Sequence, residues 1–393
     1  MNTSKPSMQR LSYIDGIRGL FCFMILACHY WGIYSMRQDS PDFLIPVLDA
    51  AASVPAIRFL MSGTVWLSGF LAISGYLAAN SRTDSLFALG KRCLLRFLRL
   101  FLPVLGACTF IFLLHRTLGF HSIHTTAYFT NTSFQYAYWM ELNLRNIWTE
   151  SLRTLTDGFC NFNQPFWVIR DIFFSSLLIY VCNYADHWSL LLTKKRIPLA
   201  AAAVCWVLWK QGEFYILVCL AGYFVGVFRD FIRKMPRWCL LGYFAAAAVI
   251  LAYNWQIMRS WYMRPFEIVE TKSFQILVWV TALLLLERLP RVQKCLSAKP
   301  LLALGDLSFG IYAFHWPVSC SVGALALLWG FSRNCSHGVS FLMGFLATIG
   351  VTLIISLLYH KTIEAATSRI TGSLNALLNQ VWGHLTKKQE EVL

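Results

Sequence analysis

The chain has 393 residues, 57% of them apolar and only 13% charged, and carries a formal net charge of +15 at pH 7. So little charge excludes an ordinary soluble globular protein, and without a soluble basic domain the positive charge does not read as nucleic-acid binding. Twelve cysteines show no Cys-x-x-Cys and no metal-like spacing, so they read as buried apolar thiols rather than metal ligands.

Apolar blocks of about 20 residues, the length that crosses a bilayer, fall at 11–34, 57–79, 93–114, 166–183, 197–210, 213–232, 237–254, 272–289, 307–331 and 340–360. They predict an all-α, polytopic integral membrane protein with about ten transmembrane helices and one domain over residues 1–363. With the N-terminus inside, every cytoplasmic connection is basic, from Lys5 and Arg10 through Arg82 to Arg99, Lys194 to Arg196, Arg229 to Arg237 and Arg288 to Lys299, to the tail. That is the positive-inside pattern, and it makes the net charge a topology signal and a match to anionic lipid headgroups. The stretch from His115 to Pro165 is expected outside, its Tyr and Trp residues forming an interfacial belt or the wall of an acceptor-sugar cleft. His115, His121 and His124 within it lack partners at metal spacing. After Glu364, Ile370, Leu374, Leu377, Leu378, Val381, Trp382 and Leu385 recur at steps of three and four. Residues 364–393 are therefore expected as an amphipathic helix on the inner membrane face.

Five segments could carry chemistry. In the first block Asp15, Arg18 and His29 share one helical face, with Arg18 and His29 roughly 16 Å apart along the axis. Ionisable residues at such positions are expensive in lipid and mark a functional site by default. Imidazole suits proton removal near neutral pH, and Arg18, near the cytoplasmic surface, could hold an anionic cytosolic substrate; a snorkelling Arg and a hydrogen-bonded core His are the structural alternative. In the second block the Ser and Gly residues around Ser74-Gly75 read as a packing surface. The third opens with Arg92, Arg96 and Arg99 on one stripe, and arginine forks suit phosphate oxygens. The fourth carries Trp167, Arg170 and Asp171, where adjacent opposite charges also fit a structural ion pair. The ninth carries Tyr312, His315 and Pro317, a substrate contact or a structural His beside a bent backbone.

Taken together these segments resemble the membrane-bound acyltransferase-3 family. The resemblance rests on Arg18 to His29, on Phe70-Leu-Ala-Ile-Ser74-Gly75-Tyr76, on Arg96 to Pro103 and on Ser308-Phe-Gly-Ile-Tyr312-Ala-Phe-His315-Trp-Pro317, four motifs in the family's order over residues 11 to about 360. Many members carry a Glu after the Trp of the fourth helix; here Trp167-Val-Ile-Arg170-Asp171 leaves Asp171 as the nearest carboxylate. The resemblance implies transfer of an acyl group, usually acetyl from cytosolic acetyl-CoA, to a hydroxyl of an extracytoplasmic or lipid-linked carbohydrate. By the same analogy His29, with Asp15, is expected to be catalytic, Arg18, Arg92, Arg96 and Arg99 to bind acyl-CoA phosphates, and Trp167, Arg170, Asp171, Tyr312 and His315 to contact substrate or serve structure. Acetyl-CoA is then a donor substrate, with no permanently bound cofactor and no metal. The expected partners are membrane lipids, acyl-CoA and the carbohydrate, without nucleic acid, and a homo-oligomer is compatible with the sequence. The expected location is a cytoplasmic membrane crossed many times, both termini inside. The alternative is a carrier or exporter of an anionic or polyprenyl-linked glycan, a class that often shows repeated halves; no internal repeat is visible here.

Overall fold

The computed structural model describes residues 11–34, 59–79, 81, 83–129, 136, 138, 141–188, 202–204, 206, 214–260 and 272–390. Among the described residues the chain is helical. In order the helices are α1 (Ser12–Ile33), α2 (Gly63–Ala78), α3 (Leu86–Thr117), α4 (Ile147–Thr156), α5 (Val168–Trp188), α6 (Phe214–Val227), α7 (Arg229–Lys234), α8 (Arg237–Ser260), α9 (Lys272–Arg288), α10 (Pro290–Leu296), α11 (Lys299–Asp306), α12 (Ser308–Val318), α13 (Ala324–Ser332), α14 (His337–Tyr359) and α15 (Ala365–Glu390). Helices satisfy their own backbone groups, which is what apolar sequence in a bilayer requires. Ser85 caps α3 by accepting from the Ala88 amide at 3.1 Å, and Ser336 caps α14 by accepting from Val339 at 3.3 Å.

Five stretches among the described residues are long and apolar enough to cross a membrane: Ser12–Ile33, Leu86–Thr117, Gln164–Ala185, Ser308–Ser332 and His337–His384. Gly63–Ala78, Tyr215–Val227 and Arg237–Val249 are shorter apolar helices. Every expected block except 197–210 contains a described helix, and five stretches have the length and hydropathy of a full crossing. In the second block a turn at Met61 separates helical Phe59 and Leu60 from α2, which starts at Gly63. The block at 197–210 lies outside the described residues except for 202–204 and 206.

Close packing follows small residues. At the crossing of α2 and α6, Gly75 lies against the Cys219 carbonyl and Gly222 against the Ala72 backbone, and a Cβ at either position would collide with main chain. One buried carboxylate joins four helices. Glu287 of α9 accepts from Tyr13 of α1 at 3.0 Å, from Tyr76 of α2, and from Arg229 and Arg233 of α7, one turn apart, at 3.1 and 2.6 Å.

The segment between α3 and α5 folds back along α3. The Trp148 ring of α4 meets Phe101, midway along α3, at 4.8 Å, and Cys160 Sγ comes within 3.8 Å of Cys108 Sγ. Arg96 Nε donates to Ser176 Oγ at 3.0 Å, so antiparallel α5 begins about level with Val104 of α3, eight residues along each helix.

Two π-helical turns join helices end to end. Ser319–Gly323 links α12 to α13, and His360–Glu364 links α14 to α15. The helix expected after Glu364 is therefore a continuation of α14. It runs antiparallel to the first half of α3: Tyr359 donates to the Pro103 carbonyl, Lys91 Nζ to Asn379 Oδ1 at 2.5 Å, and Phe87 stacks on Trp382 at 4.4 Å. Part of its apolar stripe serves this contact, while Ile370, Leu377 and Val381 remain exposed.

Candidate active site

A cavity of about 410 Å³ opens between α1, α2, α3, α5 and α12. Arg18 enters it from α1, and Arg96 and Arg99 enter it from α3, where a three-residue step keeps them on one face. Ser74, Ser176 and Tyr180 add hydroxyl groups, while Ile25, Ile73, Leu100 and Ile169 supply apolar wall. The Arg18 guanidinium lies 3.8 Å from Asp15 and 5.5 Å from the centroid of the Phe70 ring. Three guanidinium groups around one cavity favour an anionic ligand, and their planar forks suit phosphate oxygens. Arg92 is not part of the wall; it lies 5.9 Å from the ring of Tyr180, which is.

Ile25 and Tyr312, also on the wall, stand about one helical turn from two histidines. His29 Nδ1 and His315 Nε2 are 2.7 Å apart, although 286 residues separate them in sequence. The rings are nearly parallel, at 12° with centroids 5.0 Å apart, and Trp316 abuts His29 edge-on at 5.2 Å. The other nitrogen of His315, Nδ1, is 3.0 Å from the Ile311 carbonyl. A carbonyl only accepts, so this Nδ1 carries a proton and, in the neutral ring, Nε2 carries the lone pair. His29 must then donate through Nδ1, which leaves the lone pair of His29 on Nε2. That nitrogen looks toward the start of α2, 3.7 Å from where a Cβ on Gly63 would stand. The backbone thus selects the tautomer of both rings and presents one basic nitrogen.

Prolines and small side chains shape the frame around this pair. Pro317 has no N–H, so the Ala313 carbonyl one turn earlier lacks its helical donor. Asn163 Nδ2 supplies it at 2.8 Å, and Tyr312 donates to the Pro165 carbonyl. These two bonds clasp the segment before α5 onto α12 at Tyr312 and Ala313, close to His315.

The cavity brings together Arg18, Arg96, Arg99 and Tyr312, and the histidine pair lies beside it. Asp15 does not join His29: fourteen residues place it about 21 Å away along α1, where it pairs with Arg18. The stripe that aligns Asp15 with His29 thus also keeps the two apart, and the carboxylate stands at the Arg18 end of α1. Trp167 turns away from the cavity, its ring 5.0 Å from that of Tyr215. Arg170 and Asp171 bond each other at 3.0 Å, with the Asp171 carboxylate buried, as an ion pair on α5. Sequence reasoning missed Glu287 and the hydroxyls of Ser176 and Tyr180. A lone acid in the apolar eighth block was the available signal for Glu287; nothing in sequence marked the hydroxyls.

A family model described as an acyltransferase domain, the acyltransferase-3 model, matches residues 11–361. Comparison with curated proteins and with solved structures gives no match.

Proposed function

The chain belongs to the acyltransferase-3 family and is an acyltransferase with several membrane-crossing helices, and from that premise we propose that it carries acetyl from cytosolic acetyl-CoA to a hydroxyl of an extracytoplasmic or lipid-linked carbohydrate. One observation supports this reading above the others: an arginine-lined cavity with a tautomer-fixed histidine pair beside it. The arginines are suited to the phosphates of CoA, and the roughly 16 Å from Arg18 to His29 along α1 is a span that the phosphopantetheine arm can bridge.

In the proposed reaction, His29 Nε2 takes the proton of the acceptor hydroxyl as its oxygen attacks the thioester carbonyl. The carbon–sulfur bond then breaks, the thiolate leaves, and the same proton passes from His29 to sulfur. Acyl ester and CoA thiol are the products, so atoms and charge balance. His315 touches neither reactant; it is a positioning residue that holds the His29 ring and its Nδ1 proton. The cytoplasmic membrane, with both termini inside, is the proposed location.

Purified protein in liposomes, given acetyl-CoA and extracted surface glycan, is expected to release CoA thiol and form acetyl ester. His29→Ala should insert normally and lose at least about a hundredfold in rate. Full activity in that variant would remove His29 from the mechanism.

A further inference from the structure

A second pocket, of about 310 Å³, lies where the chain folds back between α3 and α5. That is the lower end of the roughly 300–1,000 Å³ of small-molecule sites. Its wall is chemically unlike that of the arginine cavity. Asn146, Asn161 and Gln164 contribute carboxamides, Glu141 and Glu150 contribute carboxylates, and Phe159 contributes a half-exposed ring. Among the described residues none of those lining it is Lys, Arg or His.

The floor is preformed. Glu150 is buried, and its carboxylate accepts from the Asn161 amide at 2.9 Å, from Asn161 Nδ2 at 3.1 Å and from Arg153 at 3.2 Å. Arg153 in turn lies 4.9 Å from the Phe159 ring centroid. The surrounding backbone is largely non-helical yet runs beside the middle of α3, through the Trp148 and Cys160 contacts. Within a membrane such backbone is tolerated only where protein buries it or where it lines a water-filled cavity. A half-polar pocket in that position therefore holds water or a hydrophilic ligand, not a lipid chain.

Carboxamides both donate and accept, carboxylates accept from hydroxyls, and an exposed phenyl ring offers an apolar platform. That set matches a compact ligand rich in hydroxyl groups. With Glu141 on the wall, Glu150 already paired with Arg153 and no cation among the lining residues, it disfavours phosphate, uronate or sialate. We propose that this pocket binds an uncharged saccharide residue as part of the acceptor, an assignment that rests on the acyltransferase reading above. The same Asn161 to Pro165 stretch that forms one wall also clasps α12 through Asn163 and Pro165. An occupied pocket is thereby linked, through a few residues of chain, to the helix that carries His315.

The test uses full-length protein in nanodiscs on a printed panel of neutral hexose and N-acetylhexosamine oligosaccharides and of uronate and sialylated ones. Binding confined to neutral members is expected, weakened about tenfold by Asn146→Ala or Gln164→Ala, a loss of one well-placed hydrogen bond each. Both side chains are exposed, so neither change disturbs packing. Preference for acidic members, no binding to any member, or neutral binding that both variants leave intact would overturn the proposal. His29→Ala should bind the panel like the wild type. If wild type binds neutral members but consumes no acetyl-CoA, the acyl-transfer reading fails while the saccharide pocket stands; acetyl transfer with unaltered binding in both pocket variants has the opposite meaning.

Discussion

His315 holds the ring of a residue 286 positions away through a single hydrogen bond. Removing its ring leaves the His29 Nδ1 proton without a partner and lets the imidazole turn, and misplacement by about 1 Å costs on the order of a hundredfold in rate. His315→Ala is expected to lower kcat about 10- to 100-fold while the KM for acetyl-CoA stays near wild type, because the arginine cavity is untouched. Steady-state kinetics in liposomes would check this, and a parallel rise in that KM would mean that His315 merely supports the donor cavity. At this scale sequence was informative about types and poor about partners. His29 and His315 were each visible as costly residues in apolar blocks, but their pairing depends on how α1 and α12 approach, which no local pattern encodes. Asp15 shares a helical face with His29, yet a step of fourteen residues puts it beside Arg18 instead.

At the scale of elements, Pro317 and Asn163 act as one device. The proline leaves the Ala313 carbonyl without a donor, and the asparagine from another segment provides one. Asn163→Ala in the wild-type background should destabilise the protein by about 1–3 kcal/mol, the cost of a buried acceptor left bare. In a Pro317→Ala background the restored helical N–H can take that carbonyl, so the same change should cost less. A double-mutant cycle on thermal or denaturant unfolding in detergent is expected to give a coupling of about 1 kcal/mol; additivity would dissolve the pairing. Helix identity was legible from apolar length alone. The fold-back of α4 along α3 was not, because its polar, aromatic sequence suits an outer loop equally well, and only packing of Trp148 and Cys160 decides between them.

For the molecule as a whole, Glu287 holds α1, α2, α7 and α9 together from a fully buried position. Breaking a buried pair by deleting one partner strands the other charge, at about 3–5 kcal/mol. Glu287→Ala should therefore show a large loss of stability in thermal unfolding, dominated by the mostly buried Arg229. Arg233→Ala should stay within about 1 kcal/mol of wild type, since its guanidinium is 44% exposed and solvent screens it. Equal effects from the two changes would contradict this ranking. The membrane class and the family were readable from composition and from four ordered motifs. Helix length was less legible: among the described residues α2 and α6 are apolar but shorter than the five long stretches, because apolar content says nothing of where chain leaves helix.

The π turn at His360–Glu364 carries a consequence for how the chain tolerates shortening. Because α15 is welded to α14 and braced on the first half of α3, its Asn379 and Trp382 prop the stretch from which Arg96 and Arg99 emerge. Cutting the chain ahead of Asn379 would take away that buttress without touching any group near the histidines. The far turns of α15, remote in sequence from the histidines, thereby become part of what sets how firmly the arginine side of the cavity is held.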